Sequence, residues 1–403
     1  MRLSPSQLEP RSPDEDRASP LLLDRFGAPE ILDALADGIY ITDRDRKIVF
    51  WSKAASRITG WRAEDVVGHA CHENILNHID LDGHALCGKE FCPLHRAIMT
   101  GACSTASIIV SARHRDGHRI PVEVSVAPIK DPSGQILGGI EVFRDLTQFV
   151  DDLRRARIIQ DGTLSCPLPD DPRVAFDVRY TPEQIIGGDF YRIERAGDDG
   201  YAIMVADVMG HGPAAALFTM QLRSLWEECR AALGSPAEFM TALNARLHRL
   251  VSADGYFATA ILLILDAGTG AVRYVRAGHP AGIIVHADGQ IATLEQRGPA
   301  LGLLPDTAFT QAEARLLPGD SLLLFTDGAV EVSDASGEEL GEERFIQLLR
   351  REIQRDGRIA TETLEQRLLE FAGGLRLADD LTLILARWSG SPSAPAPLSG
   401  TPL

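Results

Sequence analysis

The stretch Tyr201–Gly212, YAIMVADVMGHG, constrains this chain more than any other. Its apolar run Ile203–Ala206 reads as a buried strand that stops on a carboxylate, Asp207, followed within five residues by Gly210 and Gly212. The glycines allow backbone conformations closed to other residues. Pro213 then suits the first turn of a helix continued by Ala214, Ala215, Ala216 and Leu217. Asp207 is thus expected at a strand end beside a glycine turn. Taken alone, such an arrangement is more often a capped turn than a reactive site. Its weight comes from other acids placed in the same way.

Those acids are Asp189 in IIGGDFY, Asp327 in LLLFTDGAVE, and the pair Asp379-Asp380 in LADDLTLIL. Strands that end in carboxylates and lie side by side gather negative charge at one edge, which is costly unless cations neutralise it. Ligation by oxygen alone points to the hard ions Mg²⁺ or Mn²⁺. No His-x-x-x-His or Cys-x-x-Cys accompanies these acids, which argues against zinc in this part of the chain.

At 403 residues the chain has room for two or three domains, and 45% hydrophobic with 24% charged residues is a globular composition. A formal charge of -17 leaves no general basic surface, so neither nucleic acid nor an anionic membrane is an expected partner. The first residues lack the apolar core of a signal peptide, and no run of about 18 apolar residues occurs, which predicts a cytoplasmic protein. Residues 1–28 and 389–403, rich in Pro and Ser, are expected to be disordered. From Arg173 to Trp388, strands (Val174–Tyr180, Phe257–Leu265, Val272–Arg276, Ala281–His286) and long helical stretches (Pro213–Leu233, Pro236–Val251) segregate rather than alternate. That pattern predicts an α+β layered fold.

Nearer the start, Gly38–Asp43 and Lys47–Trp51 read as strands around a turn. Ser107–Ala112, the alternating IPVEVSVAPI and Ile136–Phe143 complete a small sheet of about five strands. The segments DGIYITD, ITGWRAEDVVGH and RDGHRIPVEVSVAPIKDPSGQILGGIEVFRDLT resemble a PAS sensor domain, placed here at residues 29–147. The resemblance implies the fold and leaves the ligand open. Within it, residues 69–103 form an insertion in which Cys71, Cys87, Cys92 and Cys103 lie among His69, His72, His78, His84 and His95. Cysteine spacings of 16, 5 and 11 match no standard zinc or ferredoxin pattern. A bound metal, an iron–sulfur cluster, a thiol switch, haem on one of the histidines and plain unligated thiols are the readings open there.

Residues 148–164 are expected to form a linker helix, with Phe149, Val150, Leu153, Ala156 and Ile159, after Leu146, at three- and four-residue spacings. The helix either packs on its own domain or pairs in parallel with a second copy, making a homodimer through the PAS domain and linker.

The ordered set GGDFY, DVMGHG, AGHP, GPALGLL, LLLFTDGAVE and ADDLTLIL, across residues 165–388, resembles the metal-dependent serine/threonine protein phosphatases (PPM type). The branch is the bacterial one, typified by the stage II sporulation phosphatase and the stress-response phosphatases that control sigma factors. The resemblance implies a β-sandwich flanked by helices with two Mn²⁺ or Mg²⁺ ions at one end. It implies that Asp207 bridges both ions, that the Val208 carbonyl completes one site, and that Asp327 and Asp379 hold the other ion. Asp189 is implied to act through water, and Asp207 and Asp327 are the principal catalytic acids.

The implied reaction is hydrolysis of phosphoserine or phosphothreonine by an activated water, without a covalent enzyme intermediate. The implied substrate is a phosphorylated anti-sigma-factor antagonist of the STAS type. His211 is open to a general-acid or a structural role. One departure is Arg192, where many relatives carry an acid; it leaves a second reading, a catalytically weak scaffold that binds a phosphoprotein. Gly187-Gly188-Asp189-Phe190 also resembles a diguanylate cyclase signature, but a required further acid is absent.

Overall fold

The computed structural model describes residues 27–80, 83–88, 91–103, 107–251, 255–334, 336–374 and 377–390. Most of the two termini expected to be disordered, residues 1–26 and 391–403, lies outside the described residues. The chain divides into two compact units, one ending at Asp152 and the other beginning at Leu153.

In the first unit, helix α1 (Ala28–Asp33) precedes strands β1 (Gly38–Asp43) and β2 (Ile48–Trp51), then the short helices α2 (Lys53–Thr59), α3 (Ala63–Val66) and α4 (Pro93–Thr100). Strands β3 (Ile108–Arg113), β4 (Arg119–Lys130) and β5 (Ile136–Asp145) follow. The strands pair antiparallel in the order β2-β1-β5-β4-β3, the five-stranded sheet the sequence predicts. Asp43 makes the first turn, its carboxylate accepting from the backbone N–H groups of Asp45 and Lys47, each at 2.9 Å. Along β4, Ile120, Val122, Val124 and Val126 alternate into the core with Tyr40, Trp51, Leu94 and Phe143.

Helix α5 (Thr147–Leu164) leads into the second unit. Strands β6 (Val174–Thr181), β7 (Asp189–Arg195) and β8 (Gly200–Val208) are followed by helices α6 (Pro213–Cys229) and α7 (Pro236–Val251). Next come β9 (Ala258–Asp266), β10 (Ala271–Ala277), β11 (Ile283–Val285), β12 (Ile291–Thr293), β13 (Ala312–Arg315) and β14 (Ser321–Phe325). Helices α8 (Gly341–Asp356) and α9 (Thr361–Phe371) and the last strand, β15 (Leu381–Trp388), complete the unit. Among the described residues the strands form two antiparallel sheets, β13-β10-β9-β8-β7 and β12-β11-β14-β15-β6.

The two sheets face each other across Ile203, Val205, Ile261 and Leu263 on one side and Leu322, Leu324, Ile384 and Ala386 on the other. The alternate residues of β8, Met204 and Ala206, turn outward to meet Leu222, Trp226, Phe239 and Leu243 of α6 and α7. On the far side, Leu323, Phe325, Leu383 and Leu385 meet Phe345 and Leu349 of α8 and Leu364 and Leu368 of α9. The central strands are therefore buried on both faces. This is why β8 reads as a continuous apolar run rather than an alternating one. The result is the helix-flanked β-sandwich expected of an α+β chain; the sequence reading does not single out its outer cover, α8 and α9. No helix among the described residues is long and apolar enough to cross a membrane.

Candidate metal centre

Strand register brings the first two acids together. In the β7–β8 pair Asp189 stands opposite Asp207, and Asp207 in turn faces Thr259 on β9. Beyond β8, Gly210 and Gly212 adopt positive φ (88° and 77°), as the turn before α6 requires. The second sheet supplies the others. Strand β14 runs out at Phe325 into the one-turn helix Asp327–Ala329, beside the start of β15, so that Asp327 and Asp379-Asp380 share one edge. A Cβ at residue 328 would overlap the Asp380 carbonyl, which explains the glycine of the Thr-Asp-Gly turn by close approach.

Asp189 ties the two sheets together. Its carboxylate Oδ2 accepts from the hydroxyls of Thr326 at 2.9 Å and Thr382 at 2.6 Å, while Oδ1 is buried without a hydrogen-bond partner. Burial, followed by the charge of Asp207, holds its pKa well above the usual carboxylate range. Asp380 faces the other way. One oxygen accepts from the Glu183 N–H at 2.7 Å and the other from the Gly188 N–H, which fixes the loop that leads into β7.

Asp207, Asp327 and Asp379 line one cavity of about 410 Å³, together with Val208, Glu183 and His211. The described residues lining it include no lysine or arginine. Burial raises Asp207 to about 8, and Asp327, Asp379, Asp380 and Glu331 add to the rise. Asp327 is raised to about 6, by burial and then by Asp379 and Glu331. Carboxylate oxygens of Asp327, Glu331 and Asp379 lie within 4.8 Å of one another. Such a set of oxygens, short of positive charge, fits a hard divalent cation.

Glu331 and Asp380 are the residues that sequence reading left without a role. Glu331 stands one turn after Asp327 in a quoted motif, a spacing that could have found it, and its N–H bonds the Asp327 carbonyl at 2.8 Å. His211 is exposed at the cavity, its Nδ1 3.0 Å from Gln184 Nε2. His279, of the AGHP motif, is buried instead, with Nδ1 2.7 Å from the Thr259 hydroxyl. Arg192 lies three residues along β7 from Asp189, a span of about 10 Å. There it pairs with Glu194 (3.2 Å) and approaches Glu227 (3.9 Å) rather than the cavity acids.

The cysteines of the first unit separate. Cys71 and Cys92 are buried in its core and Cys87 is half-buried, its sulfur accepting from the His78 N–H at 3.1 Å. Cys103 is exposed and lines a different cavity with Phe91, Arg96 and Ile108. All four are free thiols. A further cluster, His114, Asp116 and His118, sits at the exposed β3–β4 turn, where the Asp116 carboxylate bonds both imidazoles at 2.7 and 2.5 Å.

Residues 197–389 match the family model of stage II sporulation protein E, and residues 32–151 match that of the PAS fold. The chain is 32% identical over 183 residues to phosphoserine phosphatase RsbP of Bacillus subtilis, covering 45% of each protein. It is 27% identical over 259 residues to protein IcfG of Synechocystis sp., covering 58% of this chain and 41% of that one. It thus spans less than half the length of these two relatives. The solved SiaA-PP2C domain of Pseudomonas aeruginosa superposes with a TM-score of 0.51 at 25% identity, over 60% of this chain and 97% of that domain. Residues 32–151 therefore form a PAS-fold domain, and residues 197–389 belong to the stage II sporulation protein E family.

Proposed function

We propose that this chain is a sensor-regulated, metal-dependent protein phosphatase of the cytoplasm, acting on phosphoserine or phosphothreonine of a regulatory protein. In this reading the sensor occupies residues 29–147, the linker helix 148–164 and the phosphatase domain 165–388. The observation that carries it is the convergence of Asp207, Asp327 and Asp379 on one cavity that holds no cationic side chain among its described lining residues, with a Glu331 carboxylate oxygen within 4.8 Å of those of Asp327 and Asp379. The name of the relative RsbP supports phosphoserine as the group attacked.

Asp207 and the Val208 carbonyl, with Asp327, Asp379 and Glu331, would hold the two ions. Two Mn²⁺ or Mg²⁺ ions bound there would supply a water of lowered pKa and neutralise the phosphoryl oxygens for in-line hydrolysis. The chain's own contribution is orientation. Thr326 and Thr382 lock Asp189 through Oδ2 and leave its Oδ1 buried behind the cavity acids without a hydrogen-bond partner. Asp380 keeps its oxygens on backbone N–H groups and holds the Glu183–Gly188 loop in place. Met209 and Leu217, exposed near the turn that carries His211, give the rim an apolar surface suited to a protein substrate.

A phosphorylated anti-sigma-factor antagonist is the substrate we favour, and a homodimer through the PAS domain and linker the assembly. Arg192, the feature that favours a non-catalytic scaffold, is engaged by Glu194 and Glu227 and makes no claim on the cavity.

The test is phosphate release from a phosphoserine peptide with and without Mn²⁺, comparing wild type with Asp327→Asn. Turnover should need Mn²⁺ and drop by about 10²-fold or more in the variant, the scale on which loss of one charge-stabilising group acts. Turnover that survives EDTA, or is unchanged in Asp327→Asn, would sink the metal mechanism.

A further inference from the structure

We propose that Cys71, His78, Cys87 and Cys92 form a zinc site inside the PAS-fold domain. The proposal is independent of the phosphatase reading, because it rests on the other unit of the chain.

Arg46 draws the segments that carry these residues together. Its carbonyl accepts from the Cys71 N–H at 3.0 Å, and its Nη1 donates to the carbonyl of Gly88, next to Cys87, at 2.6 Å. The His78 and Cys87 segments are laced to each other. The Leu86 N–H donates to the His78 carbonyl at 2.9 Å, and the His78 N–H donates to the Cys87 sulfur at 3.1 Å. Cys92, the residue before α4, is buried in the same core as Cys71 and Tyr40. The cysteine spacings as a set match no standard zinc pattern, but the Cys87–Cys92 step taken alone, Cys-x₄-Cys, falls within the range of single zinc-ligand pairs.

Two buried polar atoms in this place lack hydrogen-bond partners. His78 is buried, and its Nε2 accepts from and donates to nothing. The Glu141 Oε1 lies 3.6 Å from that nitrogen and is equally unsatisfied, while Oε2 accepts from the Tyr40 hydroxyl at 2.9 Å. Buried polar atoms in folded proteins are almost always satisfied, so orphans at this density point to an absent partner. An imidazole ligates a metal through a neutral ring nitrogen and a coordinated thiol is deprotonated outright, so these four donors can enter the site as one imidazole and three thiolates.

Three thiolates and one imidazole in a tetrahedral set suit Zn²⁺, by ligand softness and by number. Among the described residues no three of these donors have their ligand atoms within 4.8 Å of one another, so the proposal requires the segments of Cys87 and Cys92 to close on Cys71 and His78 when the ion binds. Cys103, exposed at another cavity, is excluded from the set.

The experiment is metal analysis of the full-length protein together with cobalt substitution. Wild type and Cys103→Ser should carry about one zinc per chain. After Co²⁺ exchange both should show the thiolate-to-cobalt charge-transfer band, which the all-oxygen acidic cavity cannot produce. Cys87→Ser should lose at least about tenfold in Co²⁺ affinity and most of that band, and His78→Gln should shift it, with folding followed by circular dichroism. The wild-type spectrum decides even if a variant fails to fold. Folded wild type that shows no such band overturns the proposal, as does a band lost in Cys103→Ser but kept in Cys87→Ser. An iron–sulfur absorbance in anaerobically prepared protein would overturn the assignment to zinc.

Discussion

Asp189 shows what a single carboxylate has to satisfy to sit inside a sandwich. It comes from one sheet and takes both its hydrogen bonds from the other, across 137 and 193 residues of chain. Asp207 and Asp327 were legible in the sequence because an apolar run that halts at an Asp is visible locally, and Asp189 and Asp379 because a glycine pair or a second acid marks the turn before their strands. Thr326 and Thr382, and the inward role of Asp380, were not legible, because only the cross-sheet register creates them. His279 is a similar case and yields a pH prediction. Burial lowers its pKa from 6.5 to about 3, so the unfolded chain takes up the proton first. Its contribution to stability is full above about pH 6.5 and is lost as the pH falls toward 3. Asp207 and Asp327, raised in the fold, act with the opposite sign, so wild type must be compared with a variant. Urea unfolding at several pH values should show wild type losing ground to His279→Asn below pH 6.5, by at most about 1.4 kcal/mol per unit. A difference that stays constant with pH would show that His279 does not titrate in this way.

Among the elements, α5 departs most from what its periodicity suggests. Of the apolar residues that mark one face, Phe149 and Ile159 are exposed. The buried side chains of the helix are Gln160 and Leu164. Gln160 donates to the Gly187 carbonyl at 2.8 Å and to the Thr219 hydroxyl at 3.0 Å, and accepts from the Gly187 N–H at 3.4 Å. Arg157 adds a bond to the Ile185 carbonyl at 3.2 Å and stacks over Tyr180. A polar residue is thus the anchor, and an apolar-periodicity argument is blind to it. Gln160→Leu leaves the Gly187 carbonyl unpartnered. Denaturant unfolding of the second unit should register a loss of about 1–3 kcal/mol. An unchanged midpoint would mean that water replaces the amide. Helices α8 and α9 escaped sequence reading for another reason: both are rich in charge, and their apolar stripe covers only the inner face.

At the scale of the whole molecule, the exposed Phe149 and Ile159 leave α5 with apolar side chains on the face its periodicity marks, open to a second copy of the helix. If the chain is a homodimer through this linker, Ile159→Glu should shift the mass measured by light scattering from dimer to monomer; a dimer that persists would place the interface elsewhere. A negative net charge of -17 disfavours long-range attraction between copies, so apolar contact has to carry that association. The sandwich has a second property at this scale. Strand β15 pairs with β6 along its full length, Trp388 with Val174 and Leu381 with Thr181, and it is also the neighbour of β14. The last strand of the unit therefore completes the inside of a sheet rather than its edge, and it brings Asp379, Asp380 and Thr382 with it. During synthesis every other acid of the cavity leaves the ribosome before the segment that orders them. A chain stalled short of β15 has the acids but no means of holding them, so the cavity forms only on chains whose translation has passed that strand.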